Sequence, residues 1–264
     1  MDKNDLYNMA GGSQGASLPR LKGIRLNGNT GEIIMTHLDQ EKGEDGKYKK
    51  DILEAPLDLV FIKVRRKLIE GDKDGVVRST SEHNSTVDVV KLYDNKTKTA
   101  RIGIAQDLRD ENERLKTEQV VYALYNGDVV RVSIKGTSLR KLETKVGFYD
   151  YLRQFNKDKP FFFYKTRLTT KQSEDGYYGF DYKCGTEQID EATRETVIAH
   201  LKEIHAQCEA HDASVGRATP QPAQSATVPV AQETAALPSD PVYPTDEIDP
   251  DDIPFEIDPD DIPF

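Results

Sequence analysis

Residues Glu247 to Phe255 read Glu-Ile-Asp-Pro-Asp-Asp-Ile-Pro-Phe, and residues Glu256 to Phe264 repeat the same nine. This phrase fits no packed element. Proline lacks the N–H that a helix or ladder needs, and adjacent carboxylates repel one another. Upstream of it, from about residue 213 to 245, the chain is almost uncharged and rich in Ala, Pro, Gln, Ser, Thr and Val, with no apolar period. Such composition buries too little apolar surface to offset the entropy of ordering, so it predicts a disordered linker. At roughly thirty residues its root-mean-square reach is on the order of 30 Å. Any core must therefore be built from the residues before about Asp212.

Charge divides at the same place. From Ala206 onward there is one basic residue against thirteen acids, a net of −12, although the whole chain carries only −10. The preceding 205 residues hold 35 basic and 33 acidic side chains, a net of +2. A slightly basic body with clustered cations suits polyanions, while the acidic end suits basic partners and repels DNA. Residues 1–19 contain Gly11, Gly12, Ser13, Gly15 and Ser17 and read as a flexible arm. Neither a signal peptide nor a membrane-spanning apolar run is recognisable, so the expected location is the cytoplasm. The domain plan is thus an arm at 1–19, a body at 20–212, a linker at 213–245 and an acidic tip at 246–264.

Within the body, short apolar stretches alternate with Gly, Asn and Asp turns. Strands are predicted at Leu21–Leu26, Glu32–His37, Leu57–Leu68, Val87–Tyr93, Ala100–Ala105, Gln119–Tyr125, Asp128–Lys135, Phe161–Thr169 and Tyr177–Lys183. Asn27-Gly28, Asn126-Gly127 and Glu70 to Gly75 are turn signals. Asp39–Lys50 and Asp107–Glu118 carry few apolar residues and read as loops or hairpin tips. A helix is expected from a Ser138 cap to about Phe155, with Leu142, Val146, Tyr149 and Leu152 on one face. Another follows from the spacing of Ile189, Thr193, Val197, Leu201, Ile204 and Cys208. The expected fold is mainly β: an OB-fold-like Greek-key barrel with long loops or hairpins and one or two packed helices, followed by the disordered tail. Periodicity alone leaves barrel and sandwich both open.

Several strands place cations and rings opposite an apolar face. In Leu59–Leu68, alternation puts Val60, Ile62 and Val64 inward and Phe61, Lys63, Arg65 and Lys67 outward. In Val129–Lys135 it leaves Arg131, Ser133 and Lys135 outward. Phe161, Phe163, Lys165 and Arg167 share a face, and Tyr178 lies on the next strand. Single-stranded DNA needs cations for its phosphates and aromatic faces for its bases, each stacked base contributing ~1–3 kcal/mol. The expected DNA-binding residues are therefore Phe61, Lys63, Arg65, Lys67, Arg131, Lys135, Phe163, Lys165, Arg167 and Tyr178. The alternative for each ring is burial in the core.

The final Asp260, Asp261, Ile262, Pro263 and Phe264 resemble the acidic tip of bacterial single-stranded DNA-binding proteins, which end in a few Asp followed by Ile-Pro-Phe. The resemblance covers the tail; the strand-rich body and the Gln/Pro linker accord with it. It implies that the terminal Phe and its carboxylate enter an apolar pocket edged by basic residues on replication and repair enzymes. The internal copy, Asp251, Asp252, Ile253, Pro254 and Phe255, lacks a free carboxylate and is expected to bind more weakly. The chain departs from that family in having no tryptophan, so stacking falls to Tyr and Phe. It also lacks the family's usual opening and has a larger body. The expected partners are single-stranded DNA and DNA-processing enzymes, self-association is compatible with the class, and no membrane is involved.

Other chemistry finds little footing. His205, Cys208 and His211 are ligand types, but positions 205 and 211 lie roughly 240° apart on a helix and do not converge. Gly43-Glu44-Asp45-Gly46-Lys47 is too short for a phosphate loop, and the Asp72 to Gly75 stretch lacks the twelfth-position Glu of a calcium loop. Cys184 and Cys208 build neither a disulfide framework nor a nucleophilic site. A non-catalytic protein without metal or cofactor is expected. Its function is expected to be coating single-stranded DNA in replication, recombination or repair. The alternative is a phage or mobile-element adaptor that displays the tip without binding DNA.

Overall fold

The computed structural model describes residues 18–72, 75–141 and 145–216, so the duplicated tip and most of the linker lie outside it. The described chain is mainly β. In order it forms β1 (Lys22–Leu26), β2 (Ile33–Thr36), β3 (Lys50–Leu53), β4 (Leu57–Asp72), β5 (Gly75–Thr80), β6 (Val89–Asp94), β7 (Thr99–Ile104), helix α1 (Ala105–Glu111), β8 (Lys116–Tyr125), β9 (Asp128–Lys135), helix α2 (Phe148–Leu152), β10 (Tyr164–Gln172), β11 (Tyr178–Gln188) and helix α3 (Glu191–Gly216).

The sixteen-residue strand β4 organises the sheet. Its start pairs with β10 through Leu57–Val60, its middle with β8 through Val60–Ile69, and its end with β5. The β8–β9 hairpin turns on Asn126 and Gly127, whose φ angles of 51° and 86° are the pair of positive values that a two-residue primed turn requires. Strand β1 then adds to β9 in parallel, Gly23 opposite Arg131. The path β11-β10-β4-β8-β9-β1 curves back on itself. The Tyr178 amide donates to the Gly28 carbonyl at 2.7 Å, joining β11 to the β1–β2 turn. The Tyr178 ring lies against Gly31, where φ is +76° and an added Cβ would come within 2.7 Å of the ring. This is an OB-like barrel in which the N-terminal hairpin fills the closing gap. Strands β5, β6 and β7 run out from the far end of β4 as a meander.

Two cores follow. The barrel core is aromatic: Phe61 meets Phe148 at 6.1 Å and Tyr151 at 5.9 Å, edge to face, with Phe180 and Tyr182 beside them. Beneath the meander, Leu68, Val90, Leu92, Ala105, Leu108 and Leu115 form a smaller cluster. Residues 107–118, expected to be a loop or hairpin tip, therefore include most of α1, because Ala105 and Leu108 share one helical face and bury against that cluster.

The helix expected over 138–155 is reduced to the five residues of α2, after a 3-10 turn at Gly136–Ser138. Ser138 does not cap it. Its buried Oγ accepts from the Phe180 amide instead. Gly147 lies so close to the Arg140 backbone that a Cβ there would sit 2.3 Å from the carbonyl carbon, so the chain doubles back where a helix would run straight. Leu142 lies outside the described residues. Phe161–Phe163, expected to open a strand, is a 3-10 turn. Helix α3 runs four residues past the expected body boundary at 212. Asp190 starts it, accepting from the Thr193 amide at 2.9 Å and the Thr193 hydroxyl at 2.8 Å.

Because Phe61 is fully buried at the centre of the ring cluster, Phe61→Ala is expected to cost about 3–5 kcal/mol. The measurement is the shift in the urea unfolding midpoint at unchanged slope.

Candidate nucleic-acid interface

Register brings distant cations together. On β4, Lys63, Arg65 and Lys67 lie opposite Tyr122, Val120 and Glu118 of β8. Those in turn lie opposite Arg131, Ser133 and Lys135 of β9. Partners across a ladder share a face, so five of the expected cations line the outward side of three adjacent strands.

Phe61 does not join them. The ladder slips between Phe61 and Lys63, and this bulge lets Phe61 and Ile62 both enter the core, at 0% and 1% exposure. The expected base-stacking role for Phe61 gives way to core packing. Phe163 is half-buried beneath the Arg194 guanidinium, 4.7 Å from its ring centroid, and packs edge-on against Phe162. Tyr178 is occupied by its closure contact with Gly31. Lys165 and Arg167 lie on β10, where Arg167 forks to Asp58 at 2.8 and 2.9 Å. Lys135 and Lys165 are exposed.

Around Lys63 and Arg65 the outward face is covered. Helix α3 lies across it, and Glu82, just after β5, reaches in from the side. The Arg65 side chain, 1% exposed, donates to both carboxylate oxygens of Asp212 at 2.9 and 2.7 Å and to the Glu82 carbonyl at 2.6 Å. Arg65 is therefore a buried structural cation, not an exposed contact. The Glu82 carboxylate accepts from the Tyr122 hydroxyl at 2.8 Å and from Arg131. Lys63 meets the His205 ring at 3.2 Å, and Lys67 pairs with Glu118 at 3.4 Å. The Nε atoms of Arg65 and Arg131 are buried without a hydrogen-bond partner.

Proton affinities follow this burial. Desolvation lowers the Lys63 pKa, with Cys208, Arg65 and Asp212 adding smaller and opposing effects. Burial opposes ionisation of Asp212, but hydrogen bonds from His211 and Arg65 outweigh it and hold the carboxyl below its ordinary value. Burial raises the Tyr122 phenol and the Cys208 thiol, so both remain protonated at neutral pH. The Glu82 segment is tied to β4 by two backbone bonds between Arg66 and His83, each 2.9 Å. Glu82, Tyr122, His205, Cys208 and Asp212 were not legible as partners of the cations. The available signal was the spacing of Cys208 and Asp212, one helical turn apart along the buried stripe of α3.

Among the described residues no group of three or more His, Cys, Asp or Glu could hold a metal ion, and no helix is long and apolar enough to cross a membrane. Comparison with family models, curated proteins and solved structures finds no match to this chain.

His83 gives the Glu82 segment a pH signature. At 2% exposure, burial drives its pKa down to about 4, with Ser81 and the neighbouring arginines as lesser influences. Only the unfolded chain takes up the proton between pH 6.5 and 4, so stability from this group is complete above 6.5 and falls as pH drops toward 4. Between pH 7 and 5 wild type is expected to lose about 2 kcal/mol more than His83→Gln. Urea titrations of both proteins at the two pH values measure this difference.

Proposed function

We propose that this chain is a non-catalytic single-stranded DNA-binding protein whose acidic Ile-Pro-Phe phrases recruit DNA-processing enzymes. The observation that carries the reading is the register that gathers Lys63, Arg65, Lys67, Arg131 and Lys135 on the outward face of β4, β8 and β9. An OB-like barrel with such a face suits an extended polyanion, because the cations track phosphates without reading base identity. The cations left exposed extend this surface: Lys135 on β9, and Lys165, Arg167 and Lys183 on the β10–β11 hairpin, where Arg167 and Lys183 are register partners. Tyr177, 54% exposed beside the hairpin tip, offers a ring for stacking. Resemblance of Asp260 to Phe264 to the tip of bacterial single-stranded DNA-binding proteins supports the recruiting half and a cytoplasmic, nucleoid-associated setting.

A second reading is favoured by the cover over the face. Lys63 and Arg65 are already engaged by α3, which suits an adaptor that displays the tip and binds no DNA itself.

Anisotropy of a labelled oligothymidylate separates the two. The DNA-binding reading expects sub-micromolar affinity at low salt and a log–log salt slope of about −2 to −4, from roughly three to five phosphate contacts. Binding indifferent to salt contradicts that reading, and absence of binding supports the adaptor. Lys165→Ala with Lys183→Ala is expected to flatten the slope by about 1 to 2. Replacing Phe255 and Phe264 by Ala is expected to abolish capture of a tip-recognising enzyme while leaving oligonucleotide affinity intact or increased. A collapse of oligonucleotide affinity in that variant would contradict the division of labour.

A further inference from the structure

We infer that the C-terminal half of α3 is an anionic latch on the outward face of β4, β8 and β9. Its Asp212 holds the place that a strand phosphate takes on Arg65 when the latch opens. This rests on the DNA-binding reading above.

The geometry of the ion pairs is the first support. Arg65 forks onto both Asp212 oxygens, the planar two-bond arrangement that a guanidinium also makes with a phosphate. Glu82 likewise takes Arg131 and the Tyr122 hydroxyl. The substitution is incomplete, however. Lys63, Arg65 and Arg131 face two carboxylates, Lys63 meets an imidazole where an anion would serve it better, and two buried Nε donors have no acceptor. A strand bearing regularly spaced phosphates can give Lys63 and Arg65 the anions they lack.

The second support is the uneven seating of the helix. Its first half is fixed by the Asp190 cap, by Arg194 over Phe163, and by buried Val197 and Ile204. From His205 onward the buried apolar contacts are Cys208 and Val215, while Ala206, Glu209, Ala210 and Ala213 face solvent. The second half is thus held by two buried apolar contacts and by the polar contacts of His205 and Asp212, for which a polyanion competes. Parting just after Ile204 exposes Lys63, Arg65 and Tyr122 and withdraws Cys208 from the edge of the barrel cluster, while Val197 and Ile204 stay seated.

The test compares oligothymidylate affinities of full-length variants at one low salt concentration, with thermal melts confirming the fold. Asp212→Asn removes the latch carboxylate and is expected to bind at least 5-fold tighter than wild type. Glu195→Gln, which removes an equal charge at an exposed position of the same helix, is expected to change affinity less than 2-fold. His205→Glu sets a carboxylate against Lys63 and is expected to bind at least 5-fold more weakly than Ala206→Glu, which adds the same charge facing solvent. If wild type binds but each variant matches its control, the latch is wrong and the DNA-binding reading stands. If neither wild type nor Asp212→Asn binds, both fail. The His205 and Ala206 comparison still decides the matter if Asp212→Asn does not fold.

Discussion

A single bulge in β4 sets the terms for the rest of the molecule. Strict alternation from Leu59 to Leu68 would place Phe61 on the same side as Lys63, Arg65 and Lys67. The slip between Phe61 and Lys63 sends Phe61 and Ile62 together into the barrel. The aromatic cluster closes around Phe61, and the strand emerges beyond the bulge with its cations facing outward. Because β4 also pairs with β10, β8 and β5 in turn, the same strand joins the barrel to the meander beneath which the second core forms.

Those outward cations create the problem that α3 addresses. A buried guanidinium such as Arg65 is tolerable only with an anion and full hydrogen bonding, and removing one partner of such a pair typically costs about 3–5 kcal/mol. Asp212 and the Glu82 carbonyl supply most of what Arg65 needs, yet its Nε remains without an acceptor. The face is neither a plain hydrophobic seam nor a fully satisfied polar network. Such an arrangement suits a surface with two alternative anionic occupants, one built into the chain and the other a strand of nucleic acid.

Much of the architecture was legible in the sequence because turns and alternation are local signals. Asn126-Gly127 identified the β8–β9 hairpin, and the apolar alternation of Val130, Val132 and Ile134 identified the core side of β9. The bulge was not legible, since a ladder slip depends on the partner strand. The short α2 was misjudged because the contact of Gly147 with Arg140 and the bond of Ser138 to Phe180 join residues distant in sequence or folded back on themselves. The residues from Ile189 to Cys208 did show the helical spacing of α3, but not the face it covers. The cations at 63, 65, 67, 131 and 135 share one outward side of three strands, but the sequence did not show their cover. A helix that follows the last strand can pack on either side of a barrel, and its own residues do not say which.

Hydrogen exchange of the full chain with and without saturating oligothymidylate tests the central claim most directly, because it reads the outward face and its cover at once. The account predicts slower exchange across residues 61–67 of β4 and faster exchange across residues 205–215 of α3 when the strand is bound. Bound oligonucleotide with unchanged exchange in both segments would contradict it.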